Sequence, residues 1–151
     1  MEPKHSFYRI MAGAKSAYID QCIDEGFIGG DWGMDEDLSQ NLTDDWHPFN
    51  HHYIPIFLKA NQEKTKVAAG LACGMLHTIC KGMQVGDIVL TPNGRGQYHV
   101  GEVISEYFYK PDERLPHRRK VKWYESLLAK NEMSQPMQNS AGSIGTVCNL
   151  S

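Results

Sequence analysis

The histidines His47, His51 and His52, close behind Trp46, are the first residues with chemical potential. A His-x3-His-His group could ligate a metal, but no Cys, Asp or Glu stands at a familiar ligand spacing from it. It reads instead as a polar loop near a proline. Cys73 and Cys80 fall on or beside an apolar helical stripe, which suits core packing, and no G-x-S-x-G elbow supplies a nucleophile. Asp87 opens a strand and Glu102 lies on the next one, as in metal-dependent nucleases. The lysine expected after the second acid is missing, since Val103 and Ile104 follow Glu102 and Tyr107 and Phe108 follow Glu106. Gly94-Arg95-Gly96 is too short for a phosphate loop and lacks the Lys-Ser/Thr that should follow. No catalytic set assembles, and no metal or cofactor is implied.

Binding chemistry is better represented. Trp32, Trp46 and Trp123, with seven tyrosines, include several rings at element edges, where they can line a concave site. Flat aromatic walls suit a planar ligand such as a nucleobase, each stack being worth about 1–3 kcal/mol. Lys15, Ser16 and Asp31 flank two glycine-marked turns and are placed to read the edge of such a ring. In His117-Arg118-Arg119-Lys120-Val121-Lys122-Trp123, alternation puts Arg118, Lys120 and Lys122 on one face of a strand, a row able to follow phosphates. Two plainer readings stand beside these: Trp32 as core, and the lysines as protection of a sheet edge.

The charge balance hides this row. A formal charge of −3 and a pI near 6.1 look unfavourable for nucleic acid. Yet nine acids and no Lys or Arg lie between Tyr18 and Asp45, whereas Lys110 to Lys130 holds seven bases against three acids. The sum describes neither stretch. At 151 residues, 41% hydrophobic and 22% charged, the chain fits one soluble domain, residues 1–151. Without an 18-residue apolar window, a signal peptide or a C-x-x-C pair, it is expected to be cytoplasmic with reduced thiols.

The elements that must position these groups follow from pattern. Phe7 to Met11 reads as a strand ended by Gly13. Ala14 to Glu25 reads as a helix with Ser16 as N-cap and Gly26 as its stop. Phe27 to Gly33, with three glycines and a Trp, reads as a strand whose backbone approaches something closely. Met34 to Leu42 is a loop or short acidic helix, and Trp46 to Ala60 one or two short helices broken by Pro48 and Pro55. Glu63 to Gly82 is the strongest helix, with Val67, Leu71, Met75 and Ile79 repeating every four residues and Ala68, Ala72 and Leu76 widening the stripe. Gly70 and Gly74 on a neighbouring face suggest close packing against another element. Strands are expected at Gly86–Leu90 and Gln97–Ile104, around an Asn93-Gly94 turn. Further candidates are Tyr107–Tyr109, Arg119–Trp123 and Gly145–Asn149, with a short helix within Leu127–Asn139. The class is α+β on a small curled sheet.

These stretches together resemble the EVE domain of the PUA-like superfamily, related to the YTH domain. The resemblance covers Tyr8-Arg9-Ile10-Met11 with the loop Ala12 to Ser16, then Phe27 to Gly33. It continues through Gly82 to Leu90, Val100-Gly101-Glu102-Val103 and His117 to Trp123. The last segment is similar to the variety fused to bacterial modification-dependent restriction endonucleases of the EVE–HNH or McrB type. The resemblance implies a PUA-like small curled β-barrel with flanking helices that takes a flipped 5-methylcytosine or 5-hydroxymethylcytosine into an aromatic pocket. By position, Trp32 resembles the pocket tryptophan, and Lys15 and Ser16 the loop that closes the pocket, with Asp31 beside them. Tyr107 is assigned to the pocket by location, and Arg95, Arg118, Arg119, Lys120 and Lys122 to the DNA backbone. The Leu38 to Ala60 segment departs from the pattern; it either brings Trp46 or His47 to the pocket or covers the barrel.

The function implied is a non-catalytic reader of double-stranded DNA carrying a modified cytosine, the N-terminal part of a longer protein whose nuclease domain cuts nearby. Two other readings remain open: an RNA-binding PUA-like module, and a small nuclease or hydrolase with a scattered site.

Overall fold

The computed structural model describes residues 6–13, 17–141 and 146–150. The expected N-cap Ser16 and the whole Ala14-Lys15-Ser16 loop lie outside them. Strands β1 (Phe7–Ile10), β2 (Phe27–Gly30), β3 (Ile88–Pro92), β4 (Gln97–Val103), β5 (Phe108–Tyr109), β6 (His117–Trp123), β7 (Leu128–Ala129) and β8 (Val147–Asn149) are accompanied, among the described residues, by four α-helices. The helices are α1 (Ile19–Glu25), α2 (Trp46–Ala60), α3 (Lys66–His77) and α4 (Gln135–Ala141). The class is α+β with a mixed sheet, its strands ordered β2-β6-β4-β3-β1-β8, with β5 beside β6 and β7 beside β4. The chain divides into two compact units, residues 1–28, 83–105 and 120–151, and residues 29–82 and 106–119. Both units are discontinuous in sequence, which explains why no linker is legible.

In the first unit β1 pairs in parallel with β3 and antiparallel with β8. The β3–β4 hairpin closes on the Asn-Gly turn: Asn93 Oδ1 accepts the amide of Arg95 at 2.8 Å, and Gly94 takes φ 80°. One edge of β4 is shared, its start pairing with β7 and its end with β6, so the sheet curls there. Gly101 sits where a Cβ would strike the side chain of Val121, and Trp123 donates its indole N–H to the Cys22 carbonyl at 3.0 Å. Helix α1 ends at Gly26, whose φ of 72° gives the left-handed stop its sequence position implies. The Asp87 carboxylate accepts the amides of Ser6 at 3.0 Å and Gln84 at 2.8 Å, so it ties the entry of β3 to the N-terminal strand.

In the second unit α2 and α3 pack together, and here the sequence reading needs correction. Helix α2 is continuous over 15 residues. Pro48 falls in its first turn, where a missing N–H costs nothing, and Pro55 removes a single bond. Phe49, Tyr53 and Phe57, four apart, are buried, with the Phe49 ring 5.2 Å from that of His77 on α3. Helix α3 starts at the Thr65 cap, whose Oγ1 accepts the Ala68 amide, and passes at Thr78 into a π-helical turn, Thr78–Gly82. Its inward stripe is Ala69, Ala72, Cys73 and Leu76. Val67 and Leu71 point outward, 74% and 65% exposed.

The close packing expected at Gly70 and Gly74 is not found: a Cβ at either would enter open space. Glycine in a helix interior costs about 0.5–1 kcal/mol relative to alanine. Gly70→Ala and Gly74→Ala are therefore each expected to raise stability by about that amount in urea titration.

Candidate functional site

The stretch after β2 is shaped by its glycines. At Gly29 a Cβ would stand 2.8 Å from the Leu115 carbonyl oxygen and 3.0 Å from that of His117, so only glycine fits. At Gly30 it would meet the six-membered ring of Trp32, which folds back over the strand end near Ile79. Trp32 itself takes φ 51°, a left-handed conformation that non-glycine residues seldom adopt. Asp31 braces the turn, its Oδ1 accepting the Gly33 amide at 3.1 Å. The close backbone approach read from these glycines is thus present. Trp32 is half-buried and Asp31 exposed.

Beside this turn stands a row of rings that spacing alone did not single out. Tyr109 and His117 are register partners across β5 and β6, with their rings 5.1 Å apart and 19° from parallel. Tyr107, two residues earlier, also lies nearly parallel to His117 at 5.9 Å. His117 is fully buried, and Tyr107 and Tyr109 are half-buried. The Met34 carbonyl can only accept, so Nε2–H of His117 donates to it at 2.6 Å and Nδ1 accepts the Tyr107 hydroxyl at 2.9 Å. The Tyr107 oxygen in turn accepts the Leu38 amide at 3.2 Å. This relay fixes the segment after Trp32 against β6. Burial, the largest influence, pushes the His117 imidazole below its ordinary range, although Asp31, Asp35 and Asp37 pull the other way. Burial likewise raises the Tyr107 hydroxyl, so both groups stay neutral near pH 7.

The expected phosphate row is shorter than its sequence suggests. Arg118 is 2% exposed, its Nε donating to the Leu115 carbonyl at 2.9 Å and Nη2 to the Arg114 carbonyl at 2.7 Å. Leu115, held by that bond, also has a positive φ of 50°. Arg119 is 1% exposed, with Nη1 donating to the Ile79 carbonyl at 3.1 Å. Both arginines brace the interior, because three consecutive residues of β6, His117 to Arg119, are buried before alternation begins. Lys120, Lys122 and Arg95 are exposed.

Trp46 does not share the surroundings of Trp32. It starts α2, stacked on His47 at 3.7 Å, and lines a groove of about 360 Å³ with Asn50, Gly70, Leu71, Gly74 and Met75. His47 turns its Nδ1 to Asp45 at 2.6 Å. Among the described residues no three His, Cys, Asp or Glu side chains are grouped to hold a metal. Burial raises the Cys73 thiol to about 11 and Cys80 higher still, which leaves both as poor nucleophiles. No helix among the described residues is long and apolar enough to cross a membrane.

A family model described as Domain of unknown function (DUF8426) matches residues 8–151. The chain belongs to that family. The match takes in the glycine turn at Trp32, the Tyr107–His117–Tyr109 rings and the α2–α3 groove. No curated protein and no solved structure matches the chain.

Proposed function

We propose that this DUF8426 chain is a non-catalytic reader of double-stranded DNA containing 5-methylcytosine or 5-hydroxymethylcytosine. In this reading the domain is a PUA-like barrel of the EVE type, fused in a longer cytoplasmic protein to the nuclease that it directs. The observation that carries the reading is Trp32, half-buried in a left-handed turn that Gly29 and Gly30 make possible, with the exposed Asp31 carboxylate next to it. A flipped cytosine stacks on the indole, and its 4-amino group donates to a carboxylate oxygen. The modification fills apolar space, which for a methyl group is worth about 0.8 kcal/mol. The resemblance assigns pocket closure to Lys15 and Ser16, which lie outside the described residues, and Tyr107 acts through the relay by holding the Leu38 end of the turn.

Asp31, Asp35, Asp37 and Asp112 all bear electrostatically on Tyr109, a setting that repels phosphates. Backbone contacts therefore fall to Lys120, Lys122 and Arg95 in this proposal. Titrating matched duplexes that contain cytosine, 5-methylcytosine or 5-hydroxymethylcytosine at one position, with structured RNA as competitor, tests it. Tighter binding of a modified duplex is expected; equal affinities for all three, or preference for the RNA, would overturn the reading. Lys120→Ala and Lys122→Ala should weaken every duplex alike and each lower the salt slope by about 1. Arg119→Met should instead lower stability by about 1–3 kcal/mol, since it leaves the buried Ile79 carbonyl without its donor.

A further inference from the structure

We infer that Arg118 is a positioning residue for Trp32 and acts through the Leu115 carbonyl; its consequence for base preference rests on the reader proposal. Among the described residues, three non-glycine residues take a left-handed φ: Trp32 at 51°, Asp112 at 65° and Leu115 at 50°. All three belong to the turn after β2 or to the loop between β5 and β6. Leu115 is the least expected of them, because it precedes Pro116 and a residue before proline is biased to extended backbone. Such conformations persist only where their surroundings impose them, and they gather where an exact position is used.

The buried guanidinium of Arg118 imposes the conformation of Leu115. Nε donates to the Leu115 carbonyl at 2.9 Å and Nη2 to the Arg114 carbonyl at 2.7 Å, while Nη1 lies 3.6 Å from the Glu113 carboxylate. The ends of the loop are closed by the Lys110 amide, which donates to the Pro116 carbonyl at 2.8 Å. A planar fork that reaches three successive residues holds them as one body, which a single ammonium cannot do. The same Leu115 oxygen bears on the strand that leads to Trp32. A Cβ at Gly29 would stand 2.8 Å from it, so this pinned atom limits how near the end of β2 can come. Gly30 is next in the chain, and the Trp32 ring lies against its α-carbon. The path therefore runs from guanidinium to carbonyl, from carbonyl to glycine backbone, and from there to the indole. Without Arg118, Leu115 relaxes toward the extended backbone that Pro116 favours, its oxygen leaves Gly29, and the strand end loses its support. Arg118 is 2% exposed and does not itself meet a ligand.

Fluorine NMR of the full chain labelled with 5-fluorotryptophan reads this directly, the Trp32 signal being assigned by its absence in Trp32→Phe. Arg118→Lys keeps the charge beside Glu113 but cannot serve both carbonyls. It is expected to move the Trp32 signal while those of Trp46 and Trp123 stay in place. Gly29→Ala, which presses a methyl group against the pinned oxygen, is expected to move the same signal and neither of the others. Ala72→Gly, in the interior of α3, lowers the urea midpoint and should leave the Trp32 signal where it was. In duplex titrations, Arg118→Lys should lower the ratio of affinities for modified and unmodified DNA at least about five-fold, and Ala72→Gly should not change it. A Trp32 signal that stays in place in Arg118→Lys or in Gly29→Ala, or that moves as far in Ala72→Gly, would overturn the inference. If Arg118→Lys fails to fold, all three signals collapse together and Gly29→Ala decides. Equal affinities of the unaltered chain for every cytosine form overturn the reader proposal instead, and the fluorine signal still decides the role of Arg118.

Discussion

Trp32→Ala is expected to reduce the affinity for DNA with a modified cytosine by about 5- to 150-fold, the range that loss of one base–aromatic stack implies. Affinity for unmodified duplex should change little, because non-specific binding is carried by phosphate contacts that do not involve the ring. The measurement is the ratio of the two affinities at one salt concentration. Trp32→Tyr should retain much of that ratio, since a smaller ring still stacks. Alanine leaves the left-handed φ in place, as it is no more tolerant of that conformation than tryptophan. A second variant guards against simple unfolding. Gly30→Ala introduces a methyl group where the indole lies and displaces the ring without deleting it. Both variants should lower the ratio. If they lower only the urea midpoint and leave the ratio intact, Trp32 is a core residue and the reader proposal fails.

Local chemistry was legible in the sequence wherever one or two residues decide the outcome. The Asn93-Gly94 turn, the Gly26 helix stop and the close approach at Gly29 all follow from what a backbone needs at that point. The buried state of Cys73 and Cys80 also followed, from their position beside an apolar stripe. Facing was legible only in part. Val67 and Leu71 keep the four-residue spacing yet are exposed, whereas Ala72, Leu76 and Ile79 of the same widened stripe are buried, together with Ala69 and Cys73.

The basic strand shows the same limit from the other direction. Charge suggests exposure, and for Lys120 and Lys122 that holds. Arg118 and Arg119 have enough donors to serve several carbonyls, so burial leaves them bonded to the chain itself. Nothing in sequence distance shows that the Ile79 carbonyl waits opposite Arg119, 40 residues away. Tyr107, Tyr109 and His117 did carry a signal, the two-residue period of the tyrosines facing a histidine on the next strand. It becomes visible only once the β5–β6 register is known.

That register leads to a pH dependence. His117 is fully buried and its relay needs the neutral ring, with Nδ1 as acceptor for Tyr107 and Nε2–H as donor to Met34. Burial depresses its folded pKa below the ordinary 6.5, so the unfolded chain takes up the proton first. The stability is therefore fully present above about pH 6.5 and is lost as pH falls toward the folded pKa, at up to about 1.4 kcal/mol per pH unit. Urea unfolding at pH 7.5 and 5.5 measures this. His117→Phe keeps the flat ring between its neighbours but leaves the Met34 carbonyl and the Tyr107 hydroxyl without partners. It is expected to cost about 2–6 kcal/mol at pH 7.5, at about 1–3 kcal/mol for each of the two orphaned groups. Tyr107→Phe removes one hydroxyl that serves both His117 and the Leu38 amide, and should cost about 1–3 kcal/mol. The decisive quantity is the difference in slope. The loss between pH 7.5 and 5.5 should shrink in His117→Phe, and an unchanged slope would show that His117 does not carry it.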